Sequence, residues 1–402
     1  MKRGSEVLAG VVLAGMGILF AVVALEVGIR ILHLVPDRFW EPDPVLGVRL
    51  IPGHSGWWTQ EDREFVVPVR INRHGLRDLE HEYAKPAGVY RILVLGDSFV
   101  EAMHVPLDAT FPRLLEQRLN ASGGAAHVEV VSAGVSGYGT AGEVLFFERE
   151  GKRYQPDLVL LAFYPGNDVK NNSPALEETL KPVYAADGTV QQVVSVGSPH
   201  AATGWRGALT QSAAYHYFRQ LLLVRHPELA QRLIRRGWLR SDALRVAPEQ
   251  DGIPREYGVY AAATPEWQEA WTHTEQLLGQ LQQAATSAGA RFAIAILSTR
   301  DQVYPQWWQE VLQQHPRMQG QQWDLAAPER RVVGWCEAHH VPCIGLSTAF
   351  RDAAGRTEAL HFHHDGHWTV AGHRLAAVTL SEFLEQQRLV PLAQEGRSNE
   401  VH

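Results

Sequence analysis

Four short polar blocks hold the residue types that could do chemistry: Gly96-Asp97-Ser98, Gly134-Val135-Ser136-Gly137-Tyr138-Gly139, Pro165-Gly166-Asn167-Asp168 and Asp365-Gly366-His367-Trp368. Together they offer a hydroxyl nucleophile, a flexible backbone donor, an amide donor and an acid–imidazole pair. That is the inventory for acyl transfer through a covalent ester intermediate. The first three blocks each follow a short apolar run, and in open α/β sheets ligands collect outside the carboxyl ends of strands. Read as extended chain, the Asp365-x-His367 spacing puts both side chains on one side. The sequence has no Walker A loop, dinucleotide fingerprint or Gly-x-Ser-x-Gly elbow.

A metal reading competes for the same stretch. His361-Phe362-His363-His364-Asp365 nearly matches the His-x-His-x-Asp-His run of metallo-β-lactamase-type hydrolases. Imidazoles and a carboxylate at such spacing can hold two zinc ions that activate water. Gly366 stands where the final histidine is needed, and this reading leaves Ser98 and Asn167 without a role.

In this order, along most of residues 90–385, the four blocks resemble the SGNH, or GDSL-type, hydrolase family. The resemblance implies a flavodoxin-like three-layer α/β/α sandwich on a five-stranded parallel sheet. It implies a serine acyl-ester hydrolase (esterase or deacylase) that needs no metal or organic cofactor. Residue by residue, Ser98 matches the nucleophile, His367 the base and Asp365 its orienting acid. The backbone N–H groups of Ser98 and Gly137 and the Asn167 amide match the oxyanion hole, with Gly134 and Gly139 leaving the glycine register open. Asp168 is expected as a brace and His373 as a packing or capping residue, while Glu358 and His361 form a lower-ranked rival acid-x-x-His pair. Pro165 replaces the first glycine of the usual Gly-x-Asn-Asp, and Asp-x-His-Trp replaces Asp-x-x-His, an arrangement similar to alginate acetyltransferase-like relatives. The run Ile71-Asn72-Arg73-His74-Gly75-Leu76-Arg77 resembles membrane-anchored bacterial members. The alternatives are an O-acyltransferase, in which a hydroxyl of a cell-envelope polysaccharide replaces water, the metal-dependent hydrolase above, and a non-catalytic anchored binding module.

Positioning these blocks requires strands and helices in alternation, and the sequence supplies them. Near-continuous apolar runs at 91–95, 128–131, 158–163, 291–297 and 341–346 read as strands buried on both faces. Helical patterns at 108–120, 140–152, 265–288, 328–339 and 371–387 alternate with them, which argues for a parallel sheet covered on both faces. The stretch 64–72 reads as an edge strand because of Pro68. An interruption at about 170–260 is too long for a plain loop and must hold elements of its own. Within it, residues 219–240 carry six arginines against the single acid Glu228, beside Leu221, Leu222, Leu223, Leu229, Leu233 and Ile234. This reads as a helical lid with a solvated basic face, or as a helix touching anionic lipid.

Composition excludes other classes. The 402 residues are 45% hydrophobic, enough for a sizeable core. A net charge of −7 leaves no basic surplus for nucleic acid. Cys336 and Cys343 are too few for a disulfide scaffold or a four-cysteine metal site and read as buried thiols. The tryptophans, including Trp57-Trp58, Trp307-Trp308, Trp205, Trp238 and Trp323, read as packing rather than sugar platforms. Val7 to Leu25 is uncharged for nineteen residues after Lys2 and Arg3, long enough for a membrane-spanning helix and longer than a cleaved leader needs. The expected organisation is a cytoplasmic tip (1–6), a transmembrane anchor (7–27), a juxtamembrane collar (28–89), a catalytic domain (90–390) and a loose tail (391–402). The expected location is a single-pass membrane protein with its domain periplasmic or extracellular. Its partners are then the membrane and an ester-bearing substrate of lipid or acylated-glycan type.

Overall fold

The computed structural model describes residues 2–60, 63–124, 126–173, 175–176, 183–184, 190–191, 212–226, 229–230, 232–233, 236, 253–261, 263–356 and 358–391. Trp205, Trp238, Arg235, Arg240, Ile234, most of the interruption and the tail from 392 lie outside them. The chain forms two compact units.

The larger unit draws on Phe39–Gly56, Val67–Val194 and Ala247–His402. Its centre is a parallel sheet of β1 (Val89–Gly96), β2 (His127–Gly134), β3 (Leu158–Phe163), β4 (Arg291–Ile296) and β5 (Cys343–Gly345). Their spatial order is β5-β4-β3-β1-β2, with every neighbouring pair parallel. Strand order reverses between β1 and β3, and that switch point opens a crevice at the carboxyl ends of the strands.

Side-chain alternation divides the core in two. Ile92 and Val94 of β1 face a layer with Leu115 and Leu119 of α3 (Phe111–Ala121) and Leu380 and Leu384 of a C-terminal helix, Val370–Gln386. Leu93 and Leu95 face the other way, against Phe147 of Thr140–Arg149, Leu277 and Leu281 of Pro265–Ser287, and Val332 of Ala327–His339. Because the strands are buried on both faces, they are apolar throughout rather than alternating. The five expected strands and five expected helices are all present, with ends shifted by a few residues; β5 is shorter because Pro342 precedes it at the sheet edge.

Elements the sequence reading did not expect include the hairpin Trp40–Asp43 with Gly47–Leu50 and the strand Ser55–Thr59. Three helices, Arg300–Val303, Pro305–Gln314 and Ser347–Ala353, were also not expected. The strand expected over 64–72 spans Val66–Arg70. Both cysteines are free thiols, Cys336 buried and Cys343 half-buried. Trp308 is buried against Tyr257, Tyr260 and Trp323, and Trp307 stacks on Tyr304, so these rings pack rather than present a platform.

The smaller unit comprises the described residues of Met1–Arg38, Trp57–Val66 and Ser195–Val246. It contains α1 (Lys2–Ile31), of which Gly10–Ile31 has mean hydropathy 2.4 and is long and apolar enough to cross a membrane. Beyond its C-terminal end Trp57 stacks on His33 at 4.0 Å, and the Asp37 carboxylate accepts the Trp57 N–H at 2.7 Å. A second helix, Ala213–Arg225, packs on α1.

At the end of β2, Gly134 lets the backbone of the turn after β1 pass at contact distance: a β-carbon there would sit 2.7 Å from the Asp97 oxygen and 2.6 Å from Val100 Cβ. Gly134→Ala is expected to destabilise the protein by about 1–3 kcal/mol, read as a lower midpoint of urea unfolding.

Candidate active site

β1 ends at Gly96, and Asp97 turns the chain into α2 (Ser98–Glu101) by accepting the Phe99 N–H at 2.9 Å. Ser98 is therefore the first residue of a helix, where a backbone N–H has no intrahelical partner. Beyond β2, Gly137 has φ +81°, the left-handed conformation that glycine adopts without strain. Gly134 closes the strand and Gly139 precedes Thr140–Arg149, so the three glycines of this block do different jobs. After β3, Asn167 donates from Nδ2 to Asp97 Oδ2 at 2.8 Å. Asp168 accepts the Tyr164 N–H at 2.8 Å, bracing that loop.

The fourth block comes to the same place from the far end of the chain. His367 Nε2 lies 2.7 Å from Ser98 Oγ, and His367 Nδ1 lies 2.6 Å from Asp365 Oδ1. The extended-chain expectation for Asp365-x-His367 is corrected. Gly366 has φ +87°, and Asp365 Oδ1 also accepts the His367 backbone N–H at 3.1 Å, so a tight turn brings the pair together. A side chain at 366 would also press on Arg300 Cδ, at 3.3 Å. Burial alone would raise the Asp365 carboxyl, but its hydrogen bond to the His367 ring and the electrostatic pull of that ring outweigh burial and hold it at about 2.

Two further groups escaped the sequence reading. His104 is buried and stacks face to face on His367, with ring centroids 3.8 Å apart and planes 14° off parallel. Burial first, and then the neighbouring His367, depress its pKa far below the ordinary histidine value, so it stays neutral beneath the His367 ring. Glu101, one turn after Ser98, accepts the Trp40 indole N–H at 2.9 Å and both the N–H (3.2 Å) and hydroxyl of Ser136. It thus ties the hairpin at 40–50 and the Gly137 loop to α2. Burial pushes its carboxyl up to about 7, against those hydrogen bonds and the charge of Arg77. Spacing could have flagged Glu101 as a buried helix acid; nothing in the sequence marks His104.

The other titratable candidates fall elsewhere. His361 faces Ser298 and stacks edge-on to Tyr304 and Phe350, and His363 pairs with Glu310. The histidines of the metal-like run therefore diverge. Among the described residues, the one group of three whose ligand atoms lie within 4.8 Å of one another is His104, Asp365 and His367. The Nε2 of His361, the imidazole of the rival pair, meets Ser298. His373 is buried and accepts the Phe111 N–H at 3.2 Å, capping α3. A cavity of about 460 Å³ opens beside Ser98, Asn167, Asp365 and His367, with Tyr164, Tyr260, Lys170 and Arg300 among its other walls.

A family model described as GDSL-like Lipase/Acylhydrolase matches residues 94–375. No curated protein matches the sequence. Solved structures that resemble it include TesA, at 15% identity over 74% of this chain and 98% of that one, with TM-score 0.38. A catalytic mutant of Axe2, an acetylxylan esterase from Geobacillus stearothermophilus, gives 14% identity over 73% and 94%, TM-score 0.38. A lipase/acylhydrolase from Enterococcus faecalis gives 13% over 76% and 99%, TM-score 0.37.

The raised Glu101 carboxyl makes stability depend on pH. Its folded value lies above the ordinary 4.5, so the folded chain holds this proton more tightly than the unfolded one. The resulting stabilisation is full below 4.5 and is lost as pH rises through about 7. Glu101→Gln cannot titrate, so it should gain on the parent across that range by on the order of 1 kcal/mol per pH unit. Urea unfolding at several pH values from 4.5 to about 7 measures this; a pH-independent difference over that window would show that Glu101 does not titrate there.

Proposed function

The chain belongs to the GDSL-like lipase/acylhydrolase family and is an ester-hydrolysing enzyme; from that premise we propose a membrane-anchored serine esterase working through Ser98, His367 and Asp365. The observation that carries the reading is the continuous hydrogen-bond line from Asp365 through His367 to Ser98, 2.6 and 2.7 Å long in its two links. Asp365 accepts a hydrogen bond from the Nδ1–H and so leaves Nε2 as the acceptor facing the Ser98 hydroxyl. Ser98 Oγ attacks the ester carbonyl while Nε2 takes its proton. The imidazolium that forms lies against an ionised Asp365 and a neutral His104, and then returns the proton to the leaving alkoxide. Water, activated by the same nitrogen, releases the acid and regenerates the serine.

The oxyanion that develops at each step needs donors already in place. The Ser98 and Gly137 N–H groups and the Asn167 amide are assigned that role. The Asn167 Nδ2 hydrogen bond to Asp97 uses one amide hydrogen and fixes the plane of the other. The polar walls of the cavity, Lys170, Arg300 and Asp301 among them, suit a short acyl group on a polar alcohol better than a long acyl chain. In the same reading α1 spans the membrane, which the length and apolarity of Gly10–Ile31 support, and Lys2 and Arg3 before it assign the N-terminus to the cytoplasm and the catalytic unit to the periplasm or the exterior.

A fluorophosphonate should label Ser98, identified by peptide mapping, and Ser98→Ala and His367→Ala should abolish labelling. Ester turnover that survives Ser98→Ala sinks the mechanism. Asp365→Asn should lower kcat by on the order of 10⁴-fold, and Asn167→Ala by about 10²–10³-fold, both with the protein still folded by circular dichroism. Along a series of p-nitrophenyl esters, kcat/KM should fall as the acyl chain lengthens from acetyl; a palmitoyl optimum would overturn the assignment of the cavity to short acyl groups.

A further inference from the structure

We propose that the helix Ala213–Arg225 is an interfacial helix lying in the headgroup layer of the membrane crossed by α1 and binding anionic lipid. The inference goes beyond the ester chemistry and rests on one part of the preceding reading, that α1 spans the bilayer.

Near its C-terminal end the apolar stretch Gly10–Ile31 carries a carboxylate, Glu26. A charge at that depth requires partners. Glu26 accepts from the Ser212 hydroxyl at 2.8 Å, from the Ala213 N–H at 2.8 Å and from the Ala214 N–H at 2.9 Å, and it pairs with Arg30 at 2.6 Å. Three of these four donors are the cap and first turn of the second helix, whose open N–H groups and positive dipole end suit a carboxylate. The start of that helix is therefore fixed to the spanning helix one turn before its end, at the depth of Arg30. Ser212 completes the joint by capping the Tyr215 N–H at 3.1 Å.

Beyond this joint the chain has the composition of a membrane–water boundary. Tyr215, Tyr217 and Phe218 occupy the first two turns, and aromatic rings are favoured at that level. Two large apolar side chains, Phe218 and Leu229, are 50% and 46% exposed. From 212 to 240 the sequence has six arginines and one acid, in a chain whose net charge is −7. Arg225, Arg232 and Arg236 are exposed. An exposed apolar ring and an exposed arginine on one helix, Phe218 and Arg225, with Leu229, Arg232 and Arg236 exposed just beyond it, fit a layer that is apolar on one side and anionic on the other. The occupant is lipid rather than another protein because α1 itself brings the bilayer to the helix.

The test uses the full chain with Cys336→Ser and Cys343→Ser, carrying a single nitroxide at Phe218→Cys or, as a reference, at Leu19→Cys in α1. The protein is reconstituted into phosphatidylcholine vesicles with and without phosphatidylglycerol, and collision with oxygen is compared with collision with a water-soluble nickel complex. The expected result is that both labels favour oxygen, with the label at 218 doing so more strongly when phosphatidylglycerol is present. Each arginine should be worth about fivefold in the docked over the undocked helix. Replacing Arg225, Arg232 and Arg236 together by glutamine should remove the phosphatidylglycerol dependence. A label at 218 that stays open to nickel, or is shielded from both reagents by protein, overturns the proposal while the label at 19 still reports lipid. A label at 19 that is open to nickel overturns the spanning reading and the proposal with it, and leaves the ester chemistry untouched.

Discussion

The catalytic edge depends on the four-residue helix α2, which could not be stable alone and is held by carboxylates. Asp97 caps it and accepts the Asn167 amide, joining the loop after β1 to the loop after β3. Glu101 at its other end accepts from Ser136 and Trp40, joining it to the loop after β2 and to the hairpin at 40–50. Asp365 reaches it from the far end of the chain through His367 and Ser98. Each loop that brings a group to the edge is thus tied to the same turn by one acid. A shift of α2 would move Ser98 and its surroundings together.

That arrangement is costly, and the titration behaviour records where. Burial raises the carboxyls of Asp97 and Glu101, and raises Glu143 far above the ordinary range in the same buried neighbourhood. Neither oxygen of Glu143 has a hydrogen-bond partner among the described residues, which suits a carboxyl kept neutral. Asp365 is the opposite case, held down at about 2 because an imidazole lies against it. Carboxyls of such different character within one site separate an acid paired with an imidazole from acids that brace, as the proposed roles require. The buried imidazoles follow the same division: His361 and His373, depressed to about 3 by burial, pack and cap, while His367 stands half-exposed at the cavity.

Much of this was legible in the sequence, for a physical reason. Strands buried on both faces must be apolar runs, so 158–163 could be read to the residue, and polar residues just beyond such runs mark the edge where a site can form. The short strands at 40–50 and 55–59 carry too little pattern to be seen, and the helices at 300–314 are broken by Pro305. The turn at Gly366 was misread as extended chain because a two-residue spacing is satisfied by either geometry. His104 and Glu101 were missed for a deeper reason: their roles arise from the ring stacked on one and the loop hydrogen-bonded to the other, and neither partner is near in sequence.

The cavity and α1 impose different demands on a substrate. A helix that can span a bilayer gives access to lipid, yet the cavity beside Ser98 is walled by Lys170, Arg300, Asp301 and tyrosines, which would leave an acyl chain facing charges. Under the proposed function, anchoring therefore serves to keep the enzyme at a surface, and the ester it cleaves has a polar alcohol and a small acid. In the same reading the exposed Phe218 and Arg225 lie on the helix joined to α1, apart from the groups that line the cavity. Affinity for the membrane can then be tuned without disturbing the hydrogen bonds that converge on α2.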